Sequence, residues 1–295
     1  MEIWSQVVQE PLYKTLVSWE VCETELSKNE LKFGDTLNKQ YFESLSAQTY
    51  VPGTAFTADA QEWDTDSLVV SAYRSVAVYI DDVEQLQANI NIRTALQTEI
   101  AYQLRDAIDT HALLRVKQGA IYGADDLIAG GTANHAVTAT TANIIDLFSK
   151  SRKLLRTLNV AEAGDWIAIV GPTLANLIET KSTSVGYNTA DATLRNGYAG
   201  DFMGFKVYVS NNLPTGTAAS AIGGSDDNVS AQVDGNFETA YIGRAKAIDL
   251  AVQKMPTIQI SKVSDKHGYN VAAFTVYGDQ VFTQNASRFL CVITV

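Results

Sequence analysis

A stretch without glycine or proline, Asp81 to Gln118, constrains the fold more than any other part of the sequence. Asp81 and Asp82 are suitable residues to cap the start of a helix, and Gly119 is a suitable stop. The interval therefore predicts one helix, which would be roughly 55 Å long at about 1.5 Å per residue. Because a small domain is only about 30 Å across, part of this helix must cross open surface or contact a neighbour.

One face of the predicted helix is apolar. That face carries Leu86, Ile90, Ile100, Leu104 and Ile108. Arg93 and Gln97 interrupt it midway, whereas a helix buried along its whole length would continue the apolar stripe. The pattern indicates that the helix acts as a strut.

Two segments upstream of this helix predict the strands of a long β-hairpin. Leu31–Leu45 and Leu68–Ile80 are rich in strand-forming residues, and apolar positions alternate at the end of the second segment. The intervening residues 46–67 far exceed the 4 to 6 residues of an ordinary connection. We therefore expect this loop to be functional or bound to a partner. Its aromatic residues Tyr50, Phe56 and Trp63 favour an interface over a buried core.

The first thirty residues predict an irregular arm. They mix the aromatic residues Trp4, Tyr13 and Trp19 with glutamates, and no period is sustained. The segment has room for one short helix and needs a surface on which to pack.

The remainder of the chain predicts a mixed domain, which makes the fold class α+β. An amphipathic helix is expected around residues 144–158, followed by a short buried strand at Trp166–Val170 and a helix that opens at Pro172. Residues 257–263 and 271–277 predict a hairpin, and residues 288–295 predict a final strand. The strand–turn–helix order is typical of mixed domains.

Charge argues against a protein that grips nucleic acid through its backbone. The formal net charge is −11 and no basic arm occurs, whereas binding to phosphate depends on clustered Lys and Arg. The sequence also contains neither a secretory signal nor an apolar run of the ~18 residues that a membrane span requires. DNA is thus not expected to be a specific ligand, and no membrane partner is predicted.

No constellation of residues points to an enzyme or to a cofactor. The three histidines lie in different segments, Cys22 and Cys291 lie near opposite ends, and no known metal or phosphate-loop spacing occurs. His111 favours a surface or packing role over a ligand role. An enzyme is therefore the least favoured class, and no cofactor or metal is predicted.

The order of arm, hairpin, long helix and mixed domain, together with three motifs, resembles that of the major capsid proteins of tailed bacteriophages. The unit GDFMGFKVYVSNNLP spans Gly200 to Pro214, AKAIDLAVQ follows, and Val276–Val281 gives VYGDQV. The resemblance covers nearly the whole chain. It implies a Hong Kong-type phage capsid fold and a scaffold role for Gly200, Gly204, Phe205 and Pro214. In this fold, Phe205, Val207 and Val209 would share one buried face, and the glycines would allow tight turns.

The resemblance also implies how the chain is divided. Residues 1–30 would form the N-terminal arm and residues 31–80 the extended β-hairpin loop. Residues 81–119 and 251–275 would form a peripheral domain on the long spine helix. Residues 120–250 and 276–295 would form the mixed α/β axial domain.

The implied function is structural. Copies of the chain would assemble into pentamers and hexamers of an icosahedral shell around packaged double-stranded DNA, in the virion after assembly in the host cytoplasm. The other implied partners are a separate scaffolding protein, since the chain starts directly at the arm, a portal protein at one vertex and an optional decoration protein. Residues 46–67 contain no Lys, so the loop-lysine cross-link of some family members is not expected.

We expect the arm to find its packing surface on adjacent copies, through Trp4, Tyr13 and Trp19. We expect the loop to contact adjacent copies through its charges. Its carboxylates are Asp59, Glu62, Asp64 and Asp66. The candidate basic partners are Arg93, Arg105 and Lys181. Two alternatives remain open at this point, an encapsulin-like nanocompartment shell and a β-rich adhesin or carbohydrate-binding module.

Overall fold

The computed structural model of the chain describes residues 13–24, 35–42, 47, 49, 52–53, 63–82, 92–121, 127–129, 136–160, 166–185, 198–218, 234–263 and 267–294. The helices are α1 (Ser18–Val21), α2 (Ile92–Leu114), α3 (Ile144–Thr157), α4 (Pro172–Val185) and α5 (Thr283–Ala286), with a 3₁₀ turn at Arg115–Gln118. The strands are β1 (Thr36–Phe42), β2 (Trp63–Val69), β3 (Ala72–Asp81), β4 (Ala120–Ile121), β5 (Trp166–Val170), β6 (Tyr198–Phe202), β7 (Phe205–Val209), β8 (Thr215–Ala218), β9 (Asp234–Arg244), β10 (Asp249–Lys262), β11 (Gly268–Gln280) and β12 (Phe289–Thr294).

The largest sheet forms the centre of a mixed α and β body. Its strand order is β4-β12-β9-β5-β7-β6, with β8 paired to β9. Helices α3 and α4 pack on one face, and the end of α2 packs on the other. Both faces are therefore covered, which explains why all six residues of β12 are buried and why its sequence is an almost continuous apolar run.

A second sheet has the order β10-β11-β3. Ile100 and Leu104 of α2 pack on it against Ile80 and Val271. One turn further along α2, Ile108 belongs to the core of the large sheet instead. The helix thus bridges two separate cores.

The start of this helix lies only partly within the described residues. Asp81, a predicted cap, is the last residue of β3 and Asp82 is helical, whereas residues 83–91, which include Leu86 and Ile90, are not described. The stop at Gly119 is confirmed, but its cause is different. Gly119 has an ordinary negative φ of −72°, and a Cβ there would lie 2.2 Å from the Phe289 ring. Close packing, not a left-handed cap, requires glycine at this position.

The predicted strand Leu68–Ile80 is wrong as a single strand. Its first part belongs to β2, which pairs antiparallel with β1 from Thr36↔Val69 to Phe42↔Trp63. Its second part belongs to β3, which pairs with β11 instead. The chain crosses β11 between the two, where a Cβ on Gly278 would lie 2.4 Å from the Val69 carbonyl oxygen. The glycine of the VYGDQV motif is therefore what permits the crossing.

None of the helices in the described ranges is both long and apolar enough to cross a lipid bilayer.

Candidate assembly surfaces

The β1–β2 hairpin is fixed to the body at its root by one ion pair. Lys39 Nζ lies 3.2 Å from Oδ1 of Asp249, which is only 1% exposed. Asn285 Nδ2 donates to the other carboxylate oxygen at 3.2 Å, and Lys39 Nζ also sits 4.4 Å from the centre of the Phe282 ring. Burial raises the pKa of Asp249, and the Lys39 charge and hydrogen bond partly offset that rise.

An apolar cluster completes this root. Leu68 and Val70 are buried against Ala251 and Phe282. The Val70 amide donates to the Asp35 carbonyl at 2.7 Å, which ties the start of β1 to the end of β2. The hairpin therefore leaves the body in one direction set by packing and hydrogen bonds.

Asp64 and Asp66 both have partners within their own chain. Asp66 Oδ2 accepts from the Thr283 amide at 2.8 Å, which holds the hairpin to the start of α5. Asp64 accepts from the Thr65 amide at 2.7 Å and from the Tyr41 hydroxyl at 2.9 Å, and these bonds lower the pKa of its carboxyl. Both carboxylates thus help to shape the hairpin.

The far end of the described hairpin presents an aromatic pair to solvent. Phe42 and Trp63 are 53% and 65% exposed, and their ring centres lie 5.5 Å apart in an edge-on arrangement. The predicted contact residues Tyr50, Phe56, Asp59 and Glu62 lie outside the described residues. Phe42 was not predicted, although its register opposite Trp63 follows once β1 and β2 are paired.

The N-terminal segment packs on its own chain. Val17 and Val21 are buried in the core of the large sheet. The buried carboxylate of Asp109 accepts from the Val17 and Ser18 amides at 2.9 and 2.7 Å and from Asn212 Nδ2 at 2.8 Å. For this part of the arm, the expectation that only other copies supply the packing surface is wrong.

Two aromatic residues of the arm, Tyr13 and Trp19, pack on their own chain. Tyr13 lies against Tyr102 of α2 with ring centres 4.2 Å apart, and Trp19 is half-buried against the core of the large sheet. Trp4 lies outside the described residues. Tyr13 keeps an exposed side that another copy could contact.

The three candidate basic residues do not form one patch. Arg93 and Arg105 lie on α2 about 18 Å apart at ~1.5 Å per residue, and the side chain of Arg93 is outside the described part. Arg105 is exposed, and Lys181 is half-buried on α4. Each stays a separate candidate for a contact with a neighbour.

The residues of the GDFMGFKVYVSNNLP unit are structural. Gly200 and Gly204 have φ values of +97° and +86°, a region that favours glycine. Phe205 is buried and stacks on Trp166 with ring centres 5.4 Å apart. The Pro214 carbonyl accepts from the Thr239 amide and hydroxyl at 3.1 and 2.9 Å. Val207 is buried and Val209 packs beside it, so the predicted shared face is confirmed.

A buried charged group at the end of α2 has a packing role. The Asp279 carboxylate contacts His111 Nδ1 and Arg115 Nε, and the His111 ring packs edge-on against Tyr277. This group joins the helix to β11. No cluster of three or more potential metal ligands occurs among the described residues.

The overall fold is that of a capsid subunit. A structure of Mycobacterium phage Che8 aligns with a TM-score of 0.76 and 20% identity, over 100% of this chain and 96% of that chain. The mature capsid of bacteriophage PhiM1 aligns with a TM-score of 0.69 and 13% identity, over 100% of this chain and 92% of that one. The capsid of Cyanophage P-SCSP1u gives 0.68 and 14% identity, over 100% and 93%.

The family follows from the sequence itself. The model of the family described as "Phage capsid protein" matches residues 38–288, and the chain belongs to this family. No curated protein matches the chain in sequence. The chain is therefore a structural protein of the virion capsid.

Proposed function

We propose that this chain is the subunit of an icosahedral shell and assembles into pentamers and hexamers around packaged double-stranded DNA. The observation that carries the proposal is the aromatic pair Phe42–Trp63, exposed to solvent where the described part of the rooted hairpin ends. Large exposed apolar groups on a rigid element are typical of interaction sites. In a capsid family, the simplest partner for such a pair is a second copy of the chain.

The proposed division of the chain follows the strand pairing. Residues 1–30 form the arm, and residues 31–71 form the extended loop. Residues 72–80 join the predicted peripheral domain, residues 81–119 and 251–275, because β3 pairs with β11. Residues 120–250 and 276–295 form the axial domain around the large sheet.

The proposed cargo is consistent with the charge of the chain. A net charge of −11 keeps attraction for DNA weak, so that packed DNA can slide and leave. The scaffolding, portal and decoration proteins complete the proposed set of partners. The role requires no catalysis, and burial, which raises the pKa of the Cys22 thiol, disfavours thiolate chemistry there.

Electron microscopy of the purified chain, alone and with a co-expressed scaffolding protein, tests this function. We expect closed shells of uniform size, and we expect shells isolated as virions to hold nuclease-resistant double-stranded DNA. Particles that enclose a protein cargo instead would favour the nanocompartment. A chain that stays monomeric under every condition would contradict both shells.

A further inference from the structure

The three-stranded sheet ends in a long, regular edge strand. Strand β3 pairs with β11 on one side, and among the described residues no strand pairs with its other side. Its ten residues include no proline, and their pairing with β11 shows no register shift. A regular edge of this kind presents a row of amide and carbonyl groups to which a further strand can be added.

The opposite edge of the same sheet is protected against such pairing. Strand β10 contains Pro256, and its register with β11 shifts twice, between Val252 and Lys254 and between Lys254 and Thr257. Proline, bulges and lysine are features by which natural sheets prevent edge-to-edge association. Because β3 has none of the three, its edge is suited to accept a partner strand.

The register of β3 shows which of its residues direct their backbone groups to the open edge. The Asp82 amide donates to the carbonyl of His267, the residue opposite it, at 3.2 Å. In an antiparallel pair such bonds recur at every second residue, so the even-numbered residues of β3 bond to β11. The backbone groups of Tyr73, Ser75 and Ala77 therefore point away from β11.

The sequence of β3 is close to symmetric about its centre. Its first nine residues read AYRSVAVYI, with Val76 in the middle. An antiparallel copy centred on Val76 would place Tyr73 opposite Tyr79, so that two aromatic side chains meet. It would place Ser75 opposite Ala77, and these two residues would exchange backbone hydrogen bonds, as their direction requires. Tyr73 is 66% exposed, which leaves its ring accessible to such a contact.

A second copy also fits this edge. Helix α2 packs on all three strands and so lies over the middle one, β11. Two copies joined at β3 would hold their β11 strands about 14 Å apart, which is three strand spacings and exceeds the roughly 8 to 10 Å at which helices pack. The charged residues of β3 are Arg74 and Asp81, and each would lie about 13 Å or more from its counterpart in the other copy. Neither the helices nor the charges therefore oppose the contact.

We propose that β3 pairs edge to edge with β3 of a second copy, antiparallel and centred on Val76, across a two-fold axis. The two subunits then share one continuous six-stranded sheet. Because the same edge serves both partners, the contact is isologous and closes with two copies. The proposal rests on the shell function above, in which it assigns this edge to a two-fold contact between subunits.

Cysteine cross-linking in the assembled particle tests this register. The two Val76 residues would form a non-hydrogen-bonded pair with Cα atoms about 4.5 Å apart, a distance that a disulfide can span. Val76→Cys should therefore link two chains on mild oxidation, read on non-reducing gels, at least about tenfold faster than Gln259→Cys. Gln259 is the matched control because it is exposed on the opposite edge strand, β10. The native Cys22 and Cys291 are buried, so they do not compete.

Proline substitution tests whether the edge contributes to assembly. Ala77→Pro removes an amide that points to the open edge, so the subunit concentration needed for shell formation should rise at least about tenfold in light scattering. Ile260→Pro is the matched control. The Val263 amide bonds to β11 through the Gly268 carbonyl, so by the same alternation the Ile260 amide points away from β11. Its loss should leave assembly unchanged, and circular dichroism and thermal melting show that each variant is folded.

The outcomes separate this pairing from the shell function. Shells in which Val76→Cys links no faster than Gln259→Cys would overturn the pairing alone, and this result does not depend on whether the proline variant folds. A folded Ala77→Pro chain that forms shells at the wild-type concentration would also overturn it. Self-linking of Ala77→Cys in place of Val76→Cys would show a different register and contradict the proposed one. Wild-type chains that never associate would overturn the shell function and the pairing with it.

Discussion

Replacing Phe42 and Trp63 by alanine should uncouple assembly from folding. A fully covered Phe or Trp side chain buries about 200 Å², so exposures of 53% and 65% leave roughly 240 Å² open on the hairpin. At about 25 cal/mol per Å² the upper limit of the energy gained by covering this area is about 6 kcal/mol. Ordering and imperfect fit reduce that figure, and we expect about 2 kcal/mol or more per subunit.

The energy lost on assembly can be measured as a rise in the subunit concentration that assembly requires. A loss of about 2 kcal/mol corresponds to roughly a thirtyfold higher concentration of subunits for the same degree of association. The free energy of unfolding should fall by only about 1 kcal/mol, the usual worth of an aromatic pair, because both rings are already largely in water. Light scattering against concentration measures the first quantity, and denaturant unfolding measures the second.

A conservative variant supplies the control. Trp63→Phe keeps an aromatic ring against Phe42 and should assemble at a concentration much closer to that of the wild type. The reasoning would be refuted if the double alanine variant assembled at the wild-type concentration. It would also be refuted if the loss of assembly were matched by an equal loss of folding stability.

Three further changes test the internal contacts. Lys39→Ala leaves the buried Asp249 carboxylate without its cation, so the pKa of Asp249 should rise further. A carboxyl with a raised pKa favours the folded state only at low pH, so the loss of stability, about 1 to 3 kcal/mol, should grow from pH 4 to pH 7 in thermal melts. A pH-independent loss would contradict the pairing. Asp109→Ala removes the acceptor for two arm amides and should cost about 2 to 4 kcal/mol and expose residues 13–24 to protease, whereas an unchanged cleavage pattern would count against the anchor. Gly278→Ala places a Cβ 2.4 Å from the Val69 carbonyl oxygen and should cost at least about 2 kcal/mol, so an unchanged urea midpoint would disprove the close crossing.

The helices and most strands could be predicted because their evidence is local. The apolar residues Ile100, Leu104 and Ile108 recur at helical spacing, and they are buried as expected. The alternation in the strand that starts at Phe205 likewise gave the correct face. Such patterns depend only on neighbours in the chain.

The contacts that position the hairpin and the arm could not be predicted, because their partners are distant in sequence. Lys39 and Asp249 are separated by 210 residues. Nothing near Val70 marks the end of β2, since the cause of the break, Gly278, lies on another strand. One signal was available for the arm: Asp109 stands on the apolar face of α2 next to Ile108, where a carboxylate needs donors from elsewhere in the fold.

A cryo-EM structure of the assembled particle tests the central claim most directly, because it shows what covers the hairpin. We predict that Phe42 and Trp63 are in van der Waals contact with a neighbouring copy and lose most of their exposure. A closed shell in which both rings remain in solvent would contradict the account.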